Sequence, residues 1–209
     1  MITFLTKLAL VDGLKVIKNT KDFFEVSKEQ KSKNFETKFL RSLPKEVIDY
    51  FINTKEAEII SEIQIIMKDE PSELFKKIIN FLINDFGSII DDYYFNKSKL
   101  NQNEMSLSNF GRELITQMEY STYNEISEKI AREIYKLVDG NIIIVESPLS
   151  LDIDIKTKIR KIYNADNKKA FVVFNVNENI LGGIKTYING KITDDSWASK
   201  IENLEYIGA

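Results

Sequence analysis

The chain has 209 residues, of which 43% are hydrophobic and 29% charged, with a formal net charge of −3. That length suits one large domain or two small ones, each with a modest core, and the acidic balance disfavours a nucleic-acid binder, which needs a basic surface to displace phosphate counterions. With no cysteine and no histidine, the chain has no disulfide or thiolate ligand and lacks the commonest general base and metal ligand.

The opening run from Met1 to Val11 is interrupted by Thr3, Thr6 and Lys7. It has neither a basic start nor a small-residue cleavage pattern, so it predicts a helix rather than a targeting segment. No stretch approaches the roughly 20 apolar residues that span a bilayer, so membrane association is expected only through a partner. Helical spacing continues to about residue 95. Phe35, Phe39 and Leu40 share a face, and Pro44 suits the first turn of a helix carrying Val47, Ile48 and Phe51. Thr54 is expected to cap the next helix, with Ile59, Ile60, Ile63 and Met67 inward. Asp69 or Glu70 with Pro71 is expected to start another, with Leu74, Phe75, Ile78, Phe81 and Leu82 inward and an extension through Ile89, Ile90 and Tyr93. Amphipathic helices joined by short loops predict a bundle.

Residues 96–108 are rich in Asn, Lys, Ser and Gln and read as a polar insert or linker. Helical pattern resumes near Phe110. Tyr123, Ile126, Ile130, Ile134 and Leu137 form a stripe that Asp139-Gly140 should stop.

After Gly140 the period changes. Asn141 to Glu146 is a short β-branched run, read as a buried strand, and Ala170 to Phe174 as a second. Between them Pro148 to Tyr163 looks helical, with Leu151, Ile155, Ile159 and Ile162 on one side. Ile184, Thr186 and Ile188 alternate with Lys185 and Tyr187, and Asn189-Gly190 suits a type I′ turn returning through Lys191–Thr193. Asp194 or Asp195 should cap a last helix bearing Trp197, Ile201 and Leu204. The expected fold is thus α plus α/β: a helical bundle over 1–140, followed by a small mixed βαβ-ββα domain over 141–209.

No motif in this series brings chemistry. Gly182-Gly183 has no following Lys-Ser/Thr and leads into a strand, so it is a tight turn rather than a phosphate loop. Asp194-Asp195, Asp152 and Asp154 read as helix caps rather than cation ligands. The pairs Phe23-Phe24 and Tyr93-Tyr94 lack a basic surround and read as core or interface anchors rather than base-stacking platforms. Without histidine no Ser/base/acid triad can be assembled. Catalytic, cofactor and metal residues are therefore expected to be absent.

The order of the C-terminal elements resembles the delta subunit of F-type ATP synthases, whose mitochondrial counterpart is the oligomycin sensitivity conferral protein. The residues that carry the likeness are Val145-Glu146-Ser147-Pro148-Leu149-Ser150, then Asn177-Glu178-Asn179-Ile180-Leu181-Gly182-Gly183, then Asp194-Asp195-Ser196 with Leu204. Pro148, Leu149, Ile180, Leu181, Gly182, Gly183, Asp195 and Ser196 make up this structural signature. The likeness covers residues 141–207 and reaches back into 105–140 through Asn109-Phe110, followed by Arg112, Leu114 and Ile115. It departs from the family pattern at Glu178, where a proline is usual, and at the opening, where Thr6-Lys7-Leu8-Ala9-Leu10 replaces a Tyr-Ala-x-Ala-Leu-like start.

The resemblance implies a non-catalytic peripheral-stalk (stator) subunit of a proton-transporting ATP synthase. The helical domain would bind the N-terminal ends of alpha subunits, and the α/β domain the far end of the b subunits, so that the head resists rotor torque during ATP synthesis. It implies no cofactor, no nucleic acid and only indirect membrane attachment. The location would be the cytoplasmic face of the cell membrane, or the matrix face of the inner membrane in a mitochondrion. One alternative is the E-type stalk subunit of vacuolar or archaeal ATPases, which should open with one long charged helix. The other is an unrelated small α/β enzyme.

Overall fold

The computed structural model describes residues 1–39, 42–96, 99–138, 141–165 and 170–201, except the side chains of Leu137 and Val138. Helices α1 (Ile2–Asn19), α2 (Lys28–Phe39), α3 (Lys45–Asn53), α4 (Glu56–Met67), α5 (Glu73–Asn84), α6 (Phe86–Phe95), α7 (Gln102–Met105), α8 (Asn109–Glu119) and α9 (Tyr123–Val138) come first. They precede β1 (Asn141–Ser147), α10 (Ile153–Ala165), β2 (Ala170–Val176), β3 (Lys185–Ile188) and β4 (Lys191–Asp194). Residues 197–201 begin a further helix. This is the expected combination of helices followed by a small mixed sheet. The expected positions Leu40 and Leu204, the Leu137 side chain and the Asp139-Gly140 stop lie outside what the structure describes.

The chain divides into two compact units. One comprises Met1–Leu82 with Asp92–Thr122, the other Ile83–Asp91 with Tyr123–Ala209. In the first, α1 packs against α2, α3, α4 and α8. Gly13 permits the α1–α3 approach, because a Cβ there would sit 2.1 Å from the Phe51 ring. Phe35 stacks on Phe51 at 5.9 Å, and Phe23 meets Phe35 edge-on at 6.3 Å. The Phe23-Phe24 pair therefore contributes a core anchor, since Phe23 is buried. Each such side chain contributes roughly 1.5–3 kcal/mol on burial.

Three polar residues join these helices. Asp12, fully buried on α1, accepts hydrogen bonds from the Phe110 backbone N–H (3.0 Å) and Asn109 Nδ2 (2.6 Å) at the start of α8. Ser108 caps α8 by accepting from Gly111 N–H (2.8 Å) and donates to the Ser42 carbonyl (2.7 Å). The stretch 96–108, expected as a linker, thus contains α7 and ends in a buried, hydrogen-bonded cap.

The third is Glu62, and it corrects the reading of α4. Its carboxylate accepts from Leu74 N–H at 2.6 Å, filling an orphan donor at the start of α5. That turns Ile59, Glu62 and Ile66 inward and leaves Ile60 and Met67 exposed. Thr54 does not cap α4, because its hydroxyl donates back to the Tyr50 carbonyl (2.6 Å) and closes α3. Nor do Asp69 or Glu70 start α5; Ser72 Oγ accepts from Phe75 N–H (3.1 Å) instead. The pattern through Ile89 and Ile90 belongs to a separate helix, α6, which starts after Asp85. Over Ile2–Phe95 the chain forms separate helices rather than one long one, so the E-type stalk alternative is set aside.

In the second unit the sheet order is β2-β1-β3-β4, with β2 parallel to β1 and the other pairs antiparallel. Ile143 pairs with Val172 and Val145 with Phe174, and these four are buried together with Ala170. Leu151, Ile159 and Tyr163 pack on that cluster, and α9 lies against β1 and β2. The Asn189-Gly190 turn has φ of 48° and 82°, as a type I′ hairpin requires.

Two further expectations shift here. The helix after β1 starts at Ile153 rather than Pro148, with Asp154 N–H donating to Asp152 Oδ1 (3.2 Å). Its inward face carries Lys156 and Arg160, while Ile155 and Ile162 are exposed. The cause is Asp91 on α6, itself buried. It lies 2.7 Å from Arg160 Nη1 and 3.5 Å from Lys156 Nζ, and low-dielectric surroundings make such a charge demand partners.

Candidate functional site

The C-terminal signature forms a connected set of loops at one end of the sheet. At the end of β1 the Ser147 carbonyl accepts from Asn177 N–H (2.8 Å), and Ser147 Oγ donates to the Leu149 carbonyl (2.7 Å). This fixes the Pro148-Leu149 exit beside the exit of β2. Asn177 organises the next turn. Its Nδ2 donates to Glu146 Oε2 (2.9 Å), its Oδ1 accepts from Asn179 N–H (3.1 Å), and its carbonyl accepts from Ile180 N–H (3.1 Å). These bonds build the turn around Glu178.

Ile180 is buried and pins the loop, after which Gly182-Gly183 passes against the residues that open the last helix. Gly183 has φ of 78°, and a Cβ there would lie 2.5 Å from the Asp195 carbonyl oxygen. A Cβ on Gly182 would lie 2.9 Å from the Trp197 ring. Trp197 N–H donates to the Gly182 carbonyl and Asp195 N–H to the Ile184 carbonyl, both at 3.0 Å. The two glycines therefore serve close backbone packing against the Asp-Asp-Ser turn.

In that turn Ser196, buried, accepts from Ser199 N–H (3.4 Å) and is the cap of the last helix. Asp194 accepts from Ser196 N–H (2.9 Å) and pairs with Lys185 Nζ (2.8 Å) across the hairpin. The Lys185 ammonium first and the Ser196 contacts second hold the Asp194 carboxyl down to about 2. Lys185 is raised in turn by its bond to Asp194.

The signature residues divide into two kinds. Ile180 and Ser196 are buried and structural, whereas Leu149 and Leu181 are each 76% exposed. The apolar residues expected to face inward on the last helix, Trp197 and Ile201, are also exposed, at 63% and 53%. The sequence pattern alone did not distinguish these roles. The buried Asp91–Lys156–Arg160 cluster was missed altogether, although Lys156 and Arg160 stand four residues apart, at helical spacing. Arg160 stacks on Phe174 (4.9 Å), and Lys156 lies over Tyr123 (5.4 Å). Burial lowers the Lys156 pKa, against the pull of Asp91, and raises that of Tyr123.

The set of loops has a shape and a charge pattern but no nucleophile held by a base. Tyr93 and Tyr94 do not form a stacking platform. Their rings meet edge-on at 5.0 Å, and the Tyr94 hydroxyl lies against the Met118 and Ser121 carbonyls. Among the described residues no helix is long and apolar enough to cross a membrane.

Residues 89–207 match the family described as the ATP synthase delta (OSCP) subunit. No curated protein matches the chain.

Proposed function

The chain belongs to the ATP synthase delta (OSCP) subunit family, and on that premise we propose that it ties the catalytic head of an F-type ATP synthase to the membrane-anchored b subunits. Family membership makes it a non-catalytic peripheral-stalk subunit that associates with other subunits of a membrane-associated complex. The helical region, expected over 1–140, holds the N-terminal ends of the alpha subunits. The α/β region, expected over 141–209, holds the far end of the b stalk. Held at both ends, the head cannot follow the rotor, and torque becomes conformational work in proton-driven ATP synthesis. The site of action is the cytoplasmic face of the cell membrane, or the matrix face of the inner membrane in a mitochondrion.

The observation that carries this reading is the family match across residues 89–207, which takes in α8 and the whole sheet. Two compact units suit a two-ended linker, and a purely mechanical role needs interfaces rather than reactive groups. Signature residues Pro148, Leu149, Ile180, Leu181, Gly182, Gly183, Asp195 and Ser196 are read as the scaffold of the stalk-binding end. The test is reconstitution. Membranes stripped of this chain should hydrolyse ATP without pumping protons, and adding it back should restore pumping and co-purification with alpha and b. A chain that binds neither subunit would sink the proposal.

A further inference from the structure

We infer that the α/β unit holds one small monovalent anion, a halide or a simple oxyanion, on the unpaired edge of the Arg160 guanidinium. Every residue involved belongs to the unit formed by Ile83–Asp91 and Tyr123–Ala209, and the inference does not depend on the stalk reading.

The site begins with an imbalance of charge. Among the described residues of this unit the buried charges are Asp91, Lys156 and Arg160, which are 1%, 4% and 5% exposed. Two cations thus face one carboxylate, Lys156 Nζ at 3.5 Å and Arg160 Nη1 at 2.7 Å. Asp152, whose charge also reaches Lys156, is exposed and screened by solvent. One positive charge is therefore in excess away from water, where it is costly unless paired.

Hydrogen bonding places the deficit on Arg160. Its Nη1 donates to Asp91 Oδ2, while Nε and Nη2, both buried, find no acceptor among the described residues. These two nitrogens share one edge of the guanidinium, and their N–H bonds form the fork with which arginine grips an anion. Packing holds the fork in place. The guanidinium lies against Gly87, where a Cβ would fall 2.5 Å from Nε and 2.7 Å from Cζ, and its Cζ stands 4.9 Å from the centre of the Phe174 ring. Buried N–H groups without a protein partner call for water or an ion, and the excess charge selects the ion. Because that excess is a single charge, it matches a monovalent anion and leaves the second charge of a phosphate uncompensated.

The experiment uses the full chain and two halide probes. Crystals grown in sodium bromide, with diffraction recorded at the bromine edge, should show an anomalous peak within hydrogen-bond reach of both Arg160 Nε and Nη2. In solution, the chain should broaden the chloride-35 NMR line saturably, and bromide should reverse the broadening. Lys156→Met removes the excess charge and keeps the fork, so it should weaken halide affinity by about tenfold or more. Arg160→Lys keeps the charge and removes the fork, and should abolish the peak; if that variant does not fold, Lys156→Met still decides. Density at the fork without anomalous signal is water and overturns the inference, as do bromide peaks confined to the surface. Halide binding that Lys156→Met leaves unchanged overturns it too, because the excess charge would then play no part.

Discussion

Gly183 is the residue on which the C-terminal loops turn. Its φ of 78° is a left-handed value, and the Asp195 carbonyl fills the place of a side chain. Gly183→Ala should therefore cost about 1–3 kcal/mol, read as a lower urea midpoint, while Gly190→Ala, with open space around it, should cost less. Asp194 offers a pH test. Its folded pKa of about 2 lies below the unfolded value of about 3.9. The Lys185 pair therefore contributes stability fully above about pH 4 and loses it as pH falls through about 2. Carboxyl chemical shifts in an NMR titration should show a midpoint near 2 for Asp194. A midpoint near that of an ordinary aspartate would disprove the pairing. Both residues stood in the sequence as turn and cap signals. What could not be read was that Gly183 packs on the Asp195-Ser196 backbone that follows Asp194, because the contact joins segments separated by a whole hairpin.

At the scale of elements, hydrophobic spacing predicted which helices exist more reliably than which way they face. Apolar rows placed α5 and α9 correctly, since Leu74, Ile78, Leu82, Ile126, Ile130 and Ile134 are all buried. It failed on α4 and α10, and for one reason. In each a charged side chain is drawn inward by a distant partner, Glu62 by the α5 terminus and Arg160 by Asp91, and the helix rotates to satisfy it. Asp91→Asn should cost about 3–5 kcal/mol by leaving two buried cations uncompensated, with the loss seen in thermal or urea unfolding. Lys156→Met should be much milder. Because burial lowers the Lys156 pKa, the unfolded chain binds its proton more readily just below about pH 10.4. The wild type therefore gains stability as pH rises through that window. The Met variant should lose that slope in urea melts at pH 8 and 10.

At the scale of the whole molecule, the chain divides into two compact units, so unfolding should proceed in two steps rather than one. Gly183→Ala and Asp91→Asn should move only the step belonging to the α/β unit; a single shared transition would contradict this. The sequence by itself determined the order of elements, the hairpin, the Gly-Gly and Asp-Asp-Ser turns and the absence of cysteine and histidine chemistry. These follow from local propensities and composition. With the order of those motifs they were enough to suggest the family. Tertiary structure alone decided which signature residues are buried and which face solvent. It also drew residues 83–91 and α9 into the α/β unit and assembled the buried Asp91 cluster. The physical reason is range: turn chemistry and periodicity act within a few residues, whereas burial and charge pairing are settled by segments far apart in the chain.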